Sequence, residues 1–180
     1  SLRARASNFT REDLKDLSEF AHNLNKKMYV TCNIIPHNED FTGLDDYLKF
    51  LSAIGVDAII TSSLGLIQKA KVIAPNVEIH ISTQISITNS KAIKFWQTVG
   101  ATRVVLAREV SIKEIEKIRK NTSLELEVFI HGGMCASYSG RCTLSNYMTK
   151  RDANRGGCYV QHHNRHFLIS HLEHVLLVMR

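Results

Sequence analysis

At 180 residues, 44% hydrophobic and 22% charged, the chain holds enough apolar mass for one ordinary globular domain. No uncharged apolar run approaches the roughly 20 residues needed to cross a bilayer. Ser1–Asn8 carries arginines without the apolar stretch of a secretory signal, so the expectation is a cytoplasmic protein with no membrane partner. The net charge of +6 is a mild bias toward a polyanion such as RNA.

The first periodic segment precedes any strand: Leu14, Leu17, Ala21 and Leu24 recur at helical spacing. Met28–Ile35 follows as a β-rich run bounded by polar residues. Leu44, Tyr47, Leu48 and Leu51 mark a second helix, and Val56–Thr61 a second strand. Leu66, Ala70 and Ile73 mark a third helix, stopped by Pro75, before the strand Val77–Ser82. Ala92, Phe95, Trp96 and Val99 mark a fourth, ended by Gly100, before the strand Arg103–Ala107. Ser111 and Glu114 form a capping box ahead of Ile112, Ile115 and Ile118, and Leu124–His131 is the fifth strand.

Strand starts spaced by roughly 20–28 residues are the signature of βα units, which require right-handed crossovers and a parallel sheet. No Gly-x-Gly-x-x-Gly follows a strand, which weakens the doubly wound alternative. The predicted class is therefore α/β, a parallel (β/α) barrel-like domain. Five strands are too few for a closed barrel of eight, so the expectation is an incomplete TIM-type barrel, a piece of a larger protein. Residues 1–134 would form this partial core, 135–160 a cysteine motif, and 161–180 a divergent tail. The tail carries His162, His163, His166, His171 and His174. Ile169, Leu172, Val175 and Leu176 would share one helix face, so a terminal helix with surface histidines is expected there, with metal binding as the alternative.

Ligands of parallel α/β folds meet the C-terminal ends of strands. That rule selects Asn33 and His37, Ser62 and Ser63, Thr83 and Gln84, Arg108 and Glu109, and His131. Cys32 and His80 lie inside strands and read as structural. Just past His131 come Cys135, Cys142 and Cys158, spaced C-x6-C-x15-C. Soft thiolates gathered this way suit an iron–sulfur cluster or zinc. The first gap is longer than that of usual structural zinc sites. Three thiolates with an outside fourth ligand fit a [4Fe–4S] cluster, whereas His162 could complete a zinc site. Gly140, Gly156 and Gly157 would let the backbone curl round the centre. Arg141, Lys150, Arg151 and Arg155 surround the cysteines as candidate phosphate contacts.

The run Glu127-x-Phe129-x-x-Gly132-x-Met134-Cys135-x4-Gly140-x-Cys142-x-Leu144-Ser145 resembles the signature of the peptidase U32 family, once described as collagenases. Gly133 departs from the Ala or Ser usual there. Leu2-Arg-Ala, Asn8-Phe-Thr, Gly55-Val-Asp, Ser82-Thr-Gln, Phe95-Trp and Leu106-Ala-Arg-Glu109 also resemble the family, so the likeness runs from about residue 2 to Cys158. Ser145-Asn-Tyr-Met with Arg151-Asp-Ala-Asn-Arg-Gly is most similar to its tRNA-hydroxylation branch.

The resemblance implies 5-hydroxyuridine formation at the tRNA wobble position without molecular oxygen, with prephenate as hydroxyl donor. It further implies a [4Fe–4S] cluster on Cys135, Cys142 and Cys158, and a possible paired U32 homologue as partner. Where the family continues with a fourth cysteine and Arg-Trp, this chain has His162-His-Asn-Arg. Under this reading tRNA and a small carboxylate donor are the partners. Arg108 grips the donor carboxylate; His131 transfers a proton; Glu109 completes the catalytic set. Asn33, Gln84, Arg141, Arg151 and Arg155 bind substrate. Two other readings stand beside it: a peptidase using Cys135 with His131 as thiol and base, and a non-catalytic metal-binding subunit.

Overall fold

Apolar periodicity places each element close to its predicted position. The computed structural model describes residues 8–131, 137–140, 142–150, 152–153 and 175–179. The first helix, α1 (Arg11–Asn23), opens with a capping box: the Asp13 N–H donates to Thr10 Oγ1 at 3.1 Å, and the Thr10 N–H donates to Asp13 Oδ2 at 2.7 Å. Four βα units follow: β1 (Tyr29–Cys32) and α2 (Leu44–Ala53), β2 (Ala58–Thr61) and α3 (Leu64–Ile73), β3 (Glu78–Ile81) and α4 (Ser90–Val99), β4 (Arg103–Val105) and α5 (Ile112–Lys120). Gly100, at φ 98°, ends α4 in the left-handed region that glycine enters freely. Ser111 and Glu114 cap α5 as the sequence predicts. The fifth strand is β5 (Glu125–His131).

Strands β1 to β5 are parallel and lie in sequence order. Sequential order with one crossover hand puts all the helices on one face of the sheet, as in a barrel; a doubly wound sheet needs a reversal of order. On the helix-covered face Val30, Ile59, Ile79, Ile81, Val104, Leu126 and Val128 pack with Leu48, Leu51, Ile67, Ile93, Trp96 and Ile118 into one core. The other face carries the alternate residues Tyr29, Glu78, His80, Arg103, Glu125 and Glu127. There the Arg103 guanidinium reaches the Tyr29 hydroxyl at 3.3 Å. The two residues sit on β4 and β1, which flat-sheet spacing would separate by roughly 14 Å. Side chains standing perpendicular to a flat sheet would not meet across that distance, so the sheet curls round this face as part of a barrel wall.

Two short elements lie beyond the expected set. The helix α6 (Leu144–Thr149) follows Cys142. The strand β6 (Val175–Met179) pairs antiparallel with β5. The predicted terminal helix is thus corrected over residues 175–179. Val-Leu-Leu-Val-Met is as good a strand as a helix by periodicity, and the edge of β5 supplies backbone partners that an isolated helix turn lacks. Ile169, Leu172 and the five tail histidines lie outside the described residues.

Candidate functional site

At the C-terminal ends of the strands the backbone stops pairing and polar side chains gather. A cleft of about 470 Å3 opens there. Ile35, Phe41 and Ile85 give it apolar walls, while Ser62, Ser63 and Gln84 supply polar groups. Gly140 also lines the cleft.

Gln84 follows β3 in a short 3-10 turn that the Ser82 hydroxyl caps, accepting from the Gln84 N–H at 3.4 Å. Its side-chain Oε1 accepts from Ser62 Oγ at 3.4 Å and from Ser82 Oγ at 3.5 Å. Those two hydroxyls set the amide plane, and Nε2 is buried with no hydrogen-bond partner among the described residues. Arg108 lies one strand over. Its guanidinium carbon stands 4.4 Å from the centroid of the Phe129 ring, a cation–π arrangement. Its Nε is likewise buried without a partner among the described residues. Two neighbouring strand ends therefore each leave over a buried N–H donor. Buried donors are normally satisfied, so such a pair could receive an acceptor-rich group such as a carboxylate.

The remaining predicted positions divide. Ser63 is the N-cap of α3, accepting from the Leu66 N–H at 3.3 Å, and the Thr83 hydroxyl donates to the Leu106 carbonyl at 3.0 Å; both serve local structure. The Asn33 carbonyl accepts from Ser62 Oγ at 3.5 Å, which brings Asn33 next to the cleft. His37 is exposed and starts a 3-10 turn, its N–H donating to Asp40 Oδ2 at 2.7 Å. Arg108 and Glu109 are not each other's partner: Glu109 instead accepts from the Ser139 N–H at 2.9 Å and from the Ser139 hydroxyl at 3.0 Å. His131 ends β5, and its side chain lies outside the described residues. Cys142 is half-buried. Cys135, Cys158, Arg141, Arg151, Arg155, His162, Gly156 and Gly157 lie outside the described residues, and Lys150 is exposed. Among the described residues no three metal-ligating side chains come together.

Cys32 ends β1, where burial pushes its thiol up to about 11, well away from thiolate chemistry. His80 is fully buried on the concave face, as a structural residue should be. Burial first, and the Arg103 charge second, push its imidazole down to about 4. Around it lies a network that the sequence reading missed. Arg103 donates to Glu125 Oε2 at 2.6 Å and to Glu127 Oε2 at 3.3 Å, and His80 Nε2 lies 3.3 Å from Glu78 Oε2. Burial raises the Glu127 carboxyl, and the neighbouring Arg103 charge opposes that rise. The signal was present in the alternation Glu125-Leu-Glu127-Val and Glu78-Ile-His80-Ile, which puts charge on one face of buried strands.

The family model described as peptidase family U32 matches residues 1–173. The tRNA hydroxylation protein P1 of Bacillus subtilis is 52% identical over 157 residues, 87% of this chain and 37% of that protein. The tRNA hydroxylation protein P of Escherichia coli is 45% identical over 159 residues, 88% of this chain and 35% of that protein. The chain thus spans about a third of the length of these curated relatives. The solved structure of the U32 peptidase Mk0906 aligns with a TM-score of 0.54 at 14% identity, covering 64% of this chain and 50% of that one. That likeness bears on the fold alone and agrees with a partial barrel. No helix among the described residues is long and apolar enough to cross a membrane.

Proposed function

We infer the function from one premise: this chain belongs to the peptidase U32 family. Within it, we propose that the protein acts in tRNA hydroxylation, at uridine in the wobble position, in the cytoplasm. Identities of 52% and 45% to two proteins named for tRNA hydroxylation support the reaction class. The observation that carries the reading within the molecule is the pair of buried donors without a partner among the described residues, Gln84 Nε2 and Arg108 Nε, beside the segment that leads to Cys142.

In this reading a small carboxylate such as prephenate lies against the ends of β3 and β4. Arg108 offers a planar, permanently charged fork to its carboxylate, held in place by the Phe129 ring. Gln84 donates one further hydrogen bond from an amide whose oxygen the Ser62 and Ser82 hydroxyls already occupy. The apolar walls of the cleft that Gln84 lines strengthen its contact. His131, at the end of β5, is the candidate for moving a proton. Lys150, with Arg141, Arg151 and Arg155, is the candidate for tRNA phosphates.

Cys142, with Cys135 and Cys158, would hold a [4Fe–4S] cluster, with zinc as the alternative. The donor set is all soft thiolate, which suits iron–sulfur chemistry. When bound, such a cluster supplies one-electron transfer or a site that orients substrate.

Nucleoside analysis of tRNA tests the reaction. A deletion strain should lose wobble 5-hydroxyuridine, the wild-type gene should restore it, and Arg108→Ala or Cys142→Ala should not. Full restoration by Cys142→Ala would remove the thiolate from the reaction. Unchanged 5-hydroxyuridine in a deletion strain with no second family member would remove the activity. Iron, sulfide and zinc analysis of anaerobically purified protein decides the metal.

A further inference from the structure

The chain just before Cys142 is tied down with unusual density. Ser139 is buried, 1% exposed, on a stretch that is otherwise loop. Its N–H donates to Glu109 Oε1 at 2.9 Å, and its hydroxyl donates to the same carboxylate, 3.0 Å from Oε2. Its hydroxyl oxygen lies 3.5 Å from the Arg108 N–H, and its carbonyl accepts from the Ser86 hydroxyl. The next residue, Gly140, has φ 69° and lies so close to the Gln84 carbonyl that a Cβ would overlap it. Only glycine satisfies both demands at once. The stretch is thereby pinned to the ends of β3 and β4 together, and Cys142 stands two residues further on.

We propose that Glu109 is a positioning residue: through Ser139 it fixes the turn that presents Cys142 to the strand ends carrying Gln84 and Arg108. Both carboxylate oxygens are used within the protein, on a backbone N–H and a hydroxyl, which is the bonding of a clamp rather than of a proton-transfer group. The clamp also explains how a loop thiolate comes to share a site with two rigid strand ends. Its purpose rests on the proposed role of Cys142, but its geometry does not.

Peptide-resolved alkylation of the reduced, metal-free protein tests the clamp without any metal. In Glu109→Ala the alkylation of Cys142 should accelerate by about tenfold, the local opening expected when charge-assisted hydrogen bonds are lost. Gly140→Ala should do the same by displacing the turn from Gln84. Glu109→Gln keeps a carbonyl oxygen that can accept from the Ser139 N–H and from its hydroxyl, both of which already reach Oε1, and should stay within about twofold of wild type. Cys32, half-buried at the end of β1 and remote from the clamp in sequence, is the internal control for folding and should not change. In protein reconstituted with iron and sulfide, Glu109→Ala should lower bound iron and the visible charge-transfer band, and Glu109→Gln should rescue both. Equal Cys142 rates in wild type, Glu109→Ala and Gly140→Ala, with Cys32 unchanged, overturn the clamp. Wild type that takes up no metal, yet shows the tenfold difference, keeps the clamp and removes the metal reading instead.

Discussion

The two ends of the concave sheet face treat charge in opposite ways. Toward the N-terminal ends of the strands, Arg103 is 3% exposed, and its guanidinium is taken up by Glu125, Glu127 and Tyr29. Toward the C-terminal ends, Arg108 and Gln84 each keep a buried donor with no partner among the described residues. The lower cluster leaves over only a ring nitrogen of His80, whose other nitrogen faces Glu78. A closed ion cluster holds the barrel wall together and offers a ligand little. Leftover donors hold nothing together and are what a ligand needs. Burial alone would not separate the two; their hydrogen-bond partners do.

Removing Arg103 is the strongest way to break this contrast. Arg103→Met leaves Glu127 buried without its counter-charge and should cost about 3–5 kcal/mol in urea unfolding. A cost below about 1 kcal/mol would mean the lower cluster is not structural.

A smaller effect is expected from acid. His80 is neutral in the folded protein down to about pH 4, while the unfolded chain protonates it near its ordinary value of 6.5. As pH falls from 6.5 to 4 the unfolded state gains a proton that the native state refuses, so stability falls across that window. The loss amounts to at most about 3 kcal/mol. Unfolding followed against pH should show this slope in wild type and lose it in His80→Asn.

The smallest stability effect belongs to the upper end. Arg108→Ala and Gln84→Ala should each change unfolding by less than about 1 kcal/mol, since they give up little more than a cation–π contact or two long hydrogen bonds. Each should still lower wobble 5-hydroxyuridine by about tenfold or more, because a donor aimed at ligand is lost. A large stability loss with intact modification would reverse the assignment of the two ends.

Much of the frame was legible because its physics is local. Apolar spacing marks the five helices and five strands, Pro75 and Gly100 mark ends, and Ser111 with Glu114 marks a start. The strand-end rule then picked Gln84, Arg108 and Glu109 from sequence position alone. It also picked Ser63 and Thr83, which turn out to serve a helix cap and a loop carbonyl, because position along a strand does not say which way a hydroxyl bonds. The strand Val175–Met179 fits a helix by sequence alone, since five apolar residues carry no period of their own and β5 decides their state.

By itself, then, the sequence determined the parallel α/β order, which residues follow the strand ends, and the cysteine motif with its family likeness. The partners lay beyond its reach: Arg103 to Glu127 across 24 positions, Tyr29 to Arg103 across 74, Ser139 to Glu109 across 30. The Tyr29–Arg103 contact needs the sheet to curl before its two ends meet, and the other two need β4 and β5 to lie side by side. Which donors are used up and which remain is therefore a property of the folded sheet, not of the chain order.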